Sequence, residues 1–186
     1  MKTFIRAVSI LCATVLLAVA GYAAAPPNAG AGPVGSAATS AISAQVHHKL
    51  AMLVWYGVFD NLAYQVNGSE VVLTGQVISE HDQTKYNAEN AVKTIPGVTQ
   101  VVNNIEVLPL SPLDNRIRRD EYRAIFSQPN LGRYSMGAIP QIHIIVRGGH
   151  VSLEGAVMNQ MDRNIAGLVA NTVPGVFSVT NNLRVG

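Results

Sequence analysis

Two stretches of this chain repeat each other, and that duplication constrains the fold more than any other feature. Val71-Val72-Leu73-Thr74-Gly75-Gln76-Val77 matches Val151-Ser152-Leu153-Glu154-Gly155-Ala156-Val157, with Val, Leu, Gly and Val at the same spacing. Ile95-Pro96-Gly97-Val98 recurs as Val173-Pro174-Gly175-Val176, and Val101, Asn103-Asn104 and Val107 recur as Val179, Asn181-Asn182 and Val185. The offset is 80 residues for the first block and 78 for the second, so the later copy is two residues shorter between them. A sequence organised this way predicts two homologous lobes, 42–108 and 113–186, instead of one larger core.

The periodicities within the copies agree. Gln141 to Arg147 is apolar and β-branched, Gly148-Gly149 is a two-residue turn, and His150 to Val157 alternates with Val151, Leu153, Gly155 and Val157 on one face; this is the pattern of a β-hairpin. Leu62 to Asn67, a turn at Gly68-Ser69 and Val71 to Val77 predict the same hairpin in the first copy. Helical spacing follows, from Asp82 to Thr94 with Ala88, Ala91 and Val92 on one face, and around Ile165, Ala166, Val169 and Ala170 in the second copy. Pro96-Gly97 and Pro174-Gly175 end these helices, because proline cannot continue the hydrogen-bond ladder and glycine reverses the chain at low cost. A last strand spans Val98 to Val107 or Val176 to Val185, and a helix precedes each hairpin, Ile42 to Val54 and Leu113 to Phe126. The expected fold is therefore α+β, two tandem α-β-β-α-β lobes, each a small three-stranded sheet with two helices packed on one face.

Ahead of the lobes, Lys2 and Arg6 precede an apolar stretch from Ala7 to Ala20 and then small residues, the order of a cleaved secretory signal. Cleavage after Gly21-Tyr22-Ala23 makes residues 1–23 the signal and leaves Ala24 first in the mature chain. The competing reading is an uncleaved inner-membrane anchor, since the apolar run through Ala25 approaches the roughly 18 to 20 residues of a spanning helix. Ser9-Ile10-Leu11-Cys12 has Leu where a lipobox needs Gly or Ala before the cysteine. Cys12, the one cysteine, is lost with the signal, which excludes a disulfide or a Cys-based metal site. Residues 24–41, almost wholly Ala, Gly, Pro and Ser, read as a flexible linker. The mature chain then has 11 basic and 11 acidic side chains, which gives no expectation of nucleic-acid binding.

A hairpin written Val-x-Leu-x-Gly-x-Val, an Ala-rich helix, and Pro-Gly-Val-x-x-Val-x-Asn-x-(Ile/Leu)-x-Val together resemble the BON family, named for bacterial osmotic-stress and nodulation proteins. The resemblance covers both lobes. It implies a periplasmic, non-catalytic module associated with phospholipid surfaces, envelope integrity or osmotic stress.

The motif residues Gly75, Gly155, Gly97, Gly175, Asn104 and Asn182 read as structural, the glycines through backbone conformation and the asparagine pairs through side-chain bonds to turn or edge backbone groups. The most suggestive functional feature is Arg116, Arg119 and Arg123, at i, i+3 and i+7 on one helix face, with Tyr122 beside them. Such a stripe suits lipid phosphates; equally, Arg116 can pair with Asp120 at i+4. Every arginine after Arg6 lies in the second lobe, which carries a formal +3 against −3 for the first, so the lobes form a dipolar pair whose charges orient one end to a membrane or hold the lobes together. Trp55, Tyr56 and Phe59, with Met52, mark an aromatic cluster where the first helix ends, and Tyr122, Phe126, Leu131 and Tyr134 stand at the equivalent place in the second. They suit a membrane interface, a protein partner or internal packing.

His47-His48, His81, His143 and His150 have no metal-ligand spacing, although His143 and His150 lie on paired strands. There is no nucleophile elbow, no carboxylate pair in a recognisable motif and no phosphate-cradling glycine loop. The expectation is a non-enzymatic protein with no cofactor and no small-molecule substrate. It binds an anionic phospholipid surface or, on the rival reading, holds envelope proteins through hydrophobic lobe ends.

Overall fold

In each copy the alternation of the hairpin leaves one sheet face apolar, and the helices on either side of it supply the matching apolar stripes. The computed structural model of the chain describes residues 33–78, 81–137 and 139–186. The expected signal, its cleavage site, Cys12 and residues 24–32 of the linker lie outside the described residues. Residues 32–186 form one compact unit that contains both lobes.

The first lobe runs α1 (Pro33–Ala51), β1 (Asn61–Asn67), β2 (Glu70–Val77), α2 (Asp82–Lys93), β3 (Gln100–Asn103) and β4 (Glu106–Val107). The second runs α3 (Pro112–Phe126), a 3-10 turn (Gly132–Ser135), β5 (Ile142–Arg147), β6 (His150–Val157), α4 (Gln160–Ala170), β7 (Ser178–Asn181) and β8 (Arg184–Val185). In each lobe the hairpin is antiparallel, and the two last short strands both pair parallel to the central strand, β2 or β6. The family of α-β-β-α-β lobes is thus realised, with two differences. The first helix begins at Pro33, not near residue 42. Proline is suited to a first helical turn, and the Ala-rich stretch behind it has high helix propensity, so residues 33–41 are helix and not flexible linker. The last strand of each lobe is also broken, at Asn104-Ile105 and Asn182-Leu183.

Lobe 1 buries Ile42, Val46 and Leu50 from α1 with Ala88 and Val92 from α2 against Val71, Leu73 and Val77. Lobe 2 buries Ile117 and Ile125 from α3 with Ala166 and Ala170 against Ile142, Ile144, Val151 and Leu153. Each such aliphatic side chain contributes about 1.5–3 kcal/mol when fully buried. Ser111 caps α3, its hydroxyl accepting from the Asp114 N–H (3.2 Å), and Asn159 caps α4, accepting from the Asp162 N–H (2.8 Å). Asp114 turns back to accept from both N–H groups of the Gly148-Gly149 turn, so one carboxylate ties helix to hairpin.

The lobes are joined by the segment 52–60, a strap that leaves lobe 1 and packs on lobe 2. The Val58 carbonyl accepts from the Ile144 N–H (2.8 Å) on the open edge of β5, and Val58 and Phe59 pack against the second core. Phe59 also meets Ile78, Leu108 and Ile145 in a small apolar cluster between the lobes. One ion pair between the lobes, Arg147–Glu106 (2.9 Å), is exposed. Joining the lobes is therefore chiefly apolar, although their formal charges are opposite.

Candidate functional site

Helix α3 is the element that combines charge with an apolar groove. Its outward residues are Arg116, Arg119, Tyr122 and Arg123, all exposed. Arg119 and Arg123 rim a groove of about 340 Å³ whose other walls are Val58, Phe59 and Tyr122. Phe59 meets the Tyr122 ring edge-on (6.3 Å between centroids), and Tyr122 in turn meets Phe126 (4.9 Å). The groove is built by both lobes: the strap supplies the floor, and α3 supplies the guanidinium rim. Asp120 takes part of the charge, lying 3.6 Å from Arg116 and 3.2 Å from Arg123. Three arginines against one carboxylate leave the stripe a net two positive charges. Solvent screening makes those two exposed pairs worth little to stability.

The aromatic cluster at the end of α1 does not stay together. Tyr56 stacks on His143 of lobe 2 (5.4 Å) and its hydroxyl accepts from the Leu62 N–H (3.4 Å). Burial raises the Tyr56 pKa and lowers that of His143, whose Nδ1 donates to the Gly57 carbonyl (3.2 Å). Phe59 is part of the groove and of the contact between the lobes. Of its aromatic rings Trp55 alone points outward, 66% exposed and 6.1 Å from the ring of His81, and Met52 beside it is exposed as well. At the equivalent place in lobe 2, Leu131 and Tyr134 are fully buried. The Tyr134 hydroxyl donates to Asp162, which with the Arg133 guanidinium beside it holds that carboxyl below its usual range.

A wider cleft of about 600 Å³ lies between the lobes and includes Tyr56, Tyr64, His143, Glu154, Asn182 and Arg184 among its walls. Most of its polar groups are already engaged: the Tyr64 hydroxyl donates to the Ser43 carbonyl, and Glu154 accepts from Asn182. His143 and His150 do not approach each other. The two-residue turn pairs His150 with Arg147, and His143 falls opposite Glu154 further down the hairpin. His150 meets Ser178 instead (2.7 Å). Among the described residues, no group of three or more His, Cys, Asp or Glu side chains is placed to hold a metal ion. No helix of the described residues is long and apolar enough to cross a membrane.

At the repeated motifs the structure places backbone chemistry. Gly75 and Gly155 have φ of +116° and +114°, and a Cβ there would lie 2.0 Å and 2.1 Å from the carbonyl oxygens of Asn61 and Gln141. Gly97 and Gly175 also have positive φ. In the asparagine pairs the side-chain bonding to backbone groups falls on the first member, while Asn182 donates only to the Glu154 carboxylate. The Asn103 carboxamide donates to the Lys85 carbonyl (2.9 Å) and accepts from the Ile105 N–H (3.2 Å). Asn181 does the same with Arg163 (2.7 Å) and Leu183 (3.2 Å). Each thereby bridges the strand break to the second helix. Asn104 and Asn182 are exposed, because the chain turns them outward at the break.

Several residues that shape the site lie outside the motifs. Arg118 turns inward and donates to Asn115 and to the Val146 carbonyl (2.7 Å). Asp60 is fully buried and accepts from the N–H groups of Gly57 (3.1 Å) and Ile78 (2.9 Å) and from His81 Nδ1 (2.8 Å), which fixes the strap that floors the groove. Glu121 is fully buried, neither carboxyl oxygen has a hydrogen-bond partner, and burial pushes its pKa up to about 8. The available signal was its spacing: Glu121 stands four residues from both Ile117 and Ile125, on the apolar stripe of α3.

The BON domain model matches the chain twice, over residues 38–109 and 130–186. The second match begins after α3, so the helix carrying the arginines lies outside it. Among solved structures, the chain is similar to two of CdsD, a structural protein of the type III secretion system of Chlamydia trachomatis. One, its C-terminal domain, is 12% identical, with 75% of this chain and 96% of that chain covered and a TM-score of 0.23. The other is 11% identical, with 78% and 92% covered and a TM-score of 0.26. No curated protein matches. BON domains are non-catalytic and associated with the cell envelope. Matched over both of its repeats and more than half of its length, the chain belongs to the BON-domain family.

Proposed function

We propose that this protein is an exported, periplasmic binding module that attaches reversibly to anionic phospholipid surfaces and supports envelope integrity under osmotic stress. The observation that carries the reading is the groove on α3, where Val58, Phe59 and Tyr122 form an apolar floor beneath Arg119 and Arg123. Guanidinium groups bind phosphate oxygens in bidentate fashion, and aromatic rings beside them suit the headgroup level of a bilayer. Each basic residue near an anionic surface contributes about 1 kcal/mol, so the attachment is electrostatic in the main and weakens with salt. The order of charged, apolar and small residues in the first 23 supports export.

The test is co-sedimentation of residues 24–186, which retain the whole compact unit, with neutral and anionic liposomes at low and physiological salt. Binding is expected to anionic liposomes only, to fall with salt, and to disappear when Arg116→Glu, Arg119→Glu and Arg123→Glu are combined. Failure to bind anionic liposomes at low salt overturns the reading. The rival, capture of protein clients through hydrophobic lobe ends, keeps only Trp55 of its candidate residues exposed, since Tyr56 and Phe59 are half-buried between the lobes. It predicts binding to unfolded clients that salt does not weaken.

A further inference from the structure

The strap that floors the groove begins with an apolar segment that the groove itself does not use. From Leu50 to Phe59 there is no charged side chain. Within that run Met52, Val54 and Trp55 are 70%, 67% and 66% exposed. Trp55 has φ +77°, the one positive-φ residue other than glycine among the described residues. For a bulky L-residue the left-handed region costs about 1–2 kcal/mol, and the folded chain covers only about a third of Trp55 in return, with the His81 ring beside it.

The conformation is held from both sides. The N–H groups of Met52 and Leu53 bond back to His48 and Leu50, and that of Tyr56 to Leu53. Beyond Trp55, Asp60 clamps Gly57, and Val58 is bonded to β5. Three uncharged side chains are thus presented to water on a tied loop. Trp55 stands three residues from Val58 and four from Phe59, so the chain keeps it within about 14 Å of the groove floor.

Resting on the phospholipid reading above, we propose that Met52, Val54 and Trp55 form an insertion wedge that enters the headgroup region when Arg119 and Arg123 engage lipid phosphates. The first lobe then supplies the apolar half of the membrane contact and the second its charge. A tryptophan suits the task, because its indole combines a large apolar ring with an N–H that stays hydrogen-bonded at the interface. The run itself brings no acidic side chain to the contact.

Trp55 is the only tryptophan in the chain, so intrinsic fluorescence of the unmodified protein reads this residue alone. Residues 24–186 are titrated with phosphatidylglycerol vesicles, with and without brominated acyl chains, and each sample is also sedimented. The expected result is a shift of emission to shorter wavelength and quenching by the brominated chains. Met52→Ser with Val54→Ser, both at exposed positions, is expected to weaken vesicle binding roughly tenfold while Trp55 remains as the probe. Sedimentation with unshifted, unquenched emission overturns the wedge and leaves the groove reading standing. No sedimentation overturns both. A shift that follows protein concentration without vesicles overturns the wedge in favour of contact between copies of the chain.

Discussion

The two lobes share a backbone and divide the chemistry. Ile42 lies closest to Gly97 in lobe 1 as Ile117 does to Gly175 in lobe 2, which sets Val46 against Glu121 and Leu50 against Ile125. One lobe therefore fills the middle of its first helix with a valine and the other with an unpartnered carboxyl group. Thr84 and Asp162 stand in the same relation on the second helices, each four residues ahead of the buried Ala88 or Ala166. On the outer face of the hairpin, Ala63 and Gln65 of β1 are exposed, whereas His143 and Ile145 of β5 are buried by the contact between the lobes. The connections differ most: 52–60 crosses to the other lobe, while 127–141 folds back into its own core through Leu131 and Tyr134. What the copies retain is what the backbone demands, the close approach at Gly75 and Gly155 and the bridges from Asn103 and Asn181. The surfaces are then free to specialise.

The most severe test of that equivalence is Gly75→Ala beside Gly155→Ala. Each places a Cβ about 2 Å from a carbonyl oxygen at positive φ, and each is expected to cost about 4 kcal/mol or more, read from urea denaturation. A mild loss in one lobe alone breaks the equivalence. Exchanging the core residues sharpens the difference: Val46→Glu is expected to destabilise by about 3 kcal/mol or more, and Glu121→Val to stabilise by about 1–3 kcal/mol.

The same carboxyl group gives the protein a pH dependence. Its pKa is raised from 4.5 to about 8 in the folded chain. Between those values the unfolded chain has released the proton and the folded chain keeps it, so stability falls as pH rises across that window. Glu121→Gln is expected to flatten the fall, checked by comparing urea midpoints of the two proteins near pH 5 and near pH 8.5, that is, at about the two ends of the window. The smallest effects separate the asparagines. Asn103→Ala and Asn181→Ala are expected to cost about 1–2 kcal/mol each, and Asn104→Ala and Asn182→Ala to stay within about 0.5 kcal/mol. Thermal melts of the four variants check this.

The duplication, the hairpins with their turns and the helix-ending Pro-Gly pairs were all legible in the sequence, because each rests on local spacing. The start of α1 at Pro33 was not, since a stretch of Ala, Gly, Pro and Ser reads as a linker until the helix behind it is seen to extend. Nor were the roles of Asn103 and Asp60, which depend on groups 18 residues away. The arginine stripe was readable from its periodicity, but the groove was not, because Val58 and Phe59 reach it by crossing from the other lobe.

The central claim is that membrane attachment belongs to the charged face of lobe 2 and not to net charge. It is tested most directly by reversing two basic residues in each lobe, Arg119→Glu with Arg123→Glu against Lys85→Glu with Lys93→Glu, and measuring affinity for phosphatidylglycerol vesicles at one salt concentration. Both pairs change the net charge equally. The account predicts a loss of more than about tenfold for the arginine pair and less than about twofold for the lysine pair. Equal losses contradict it.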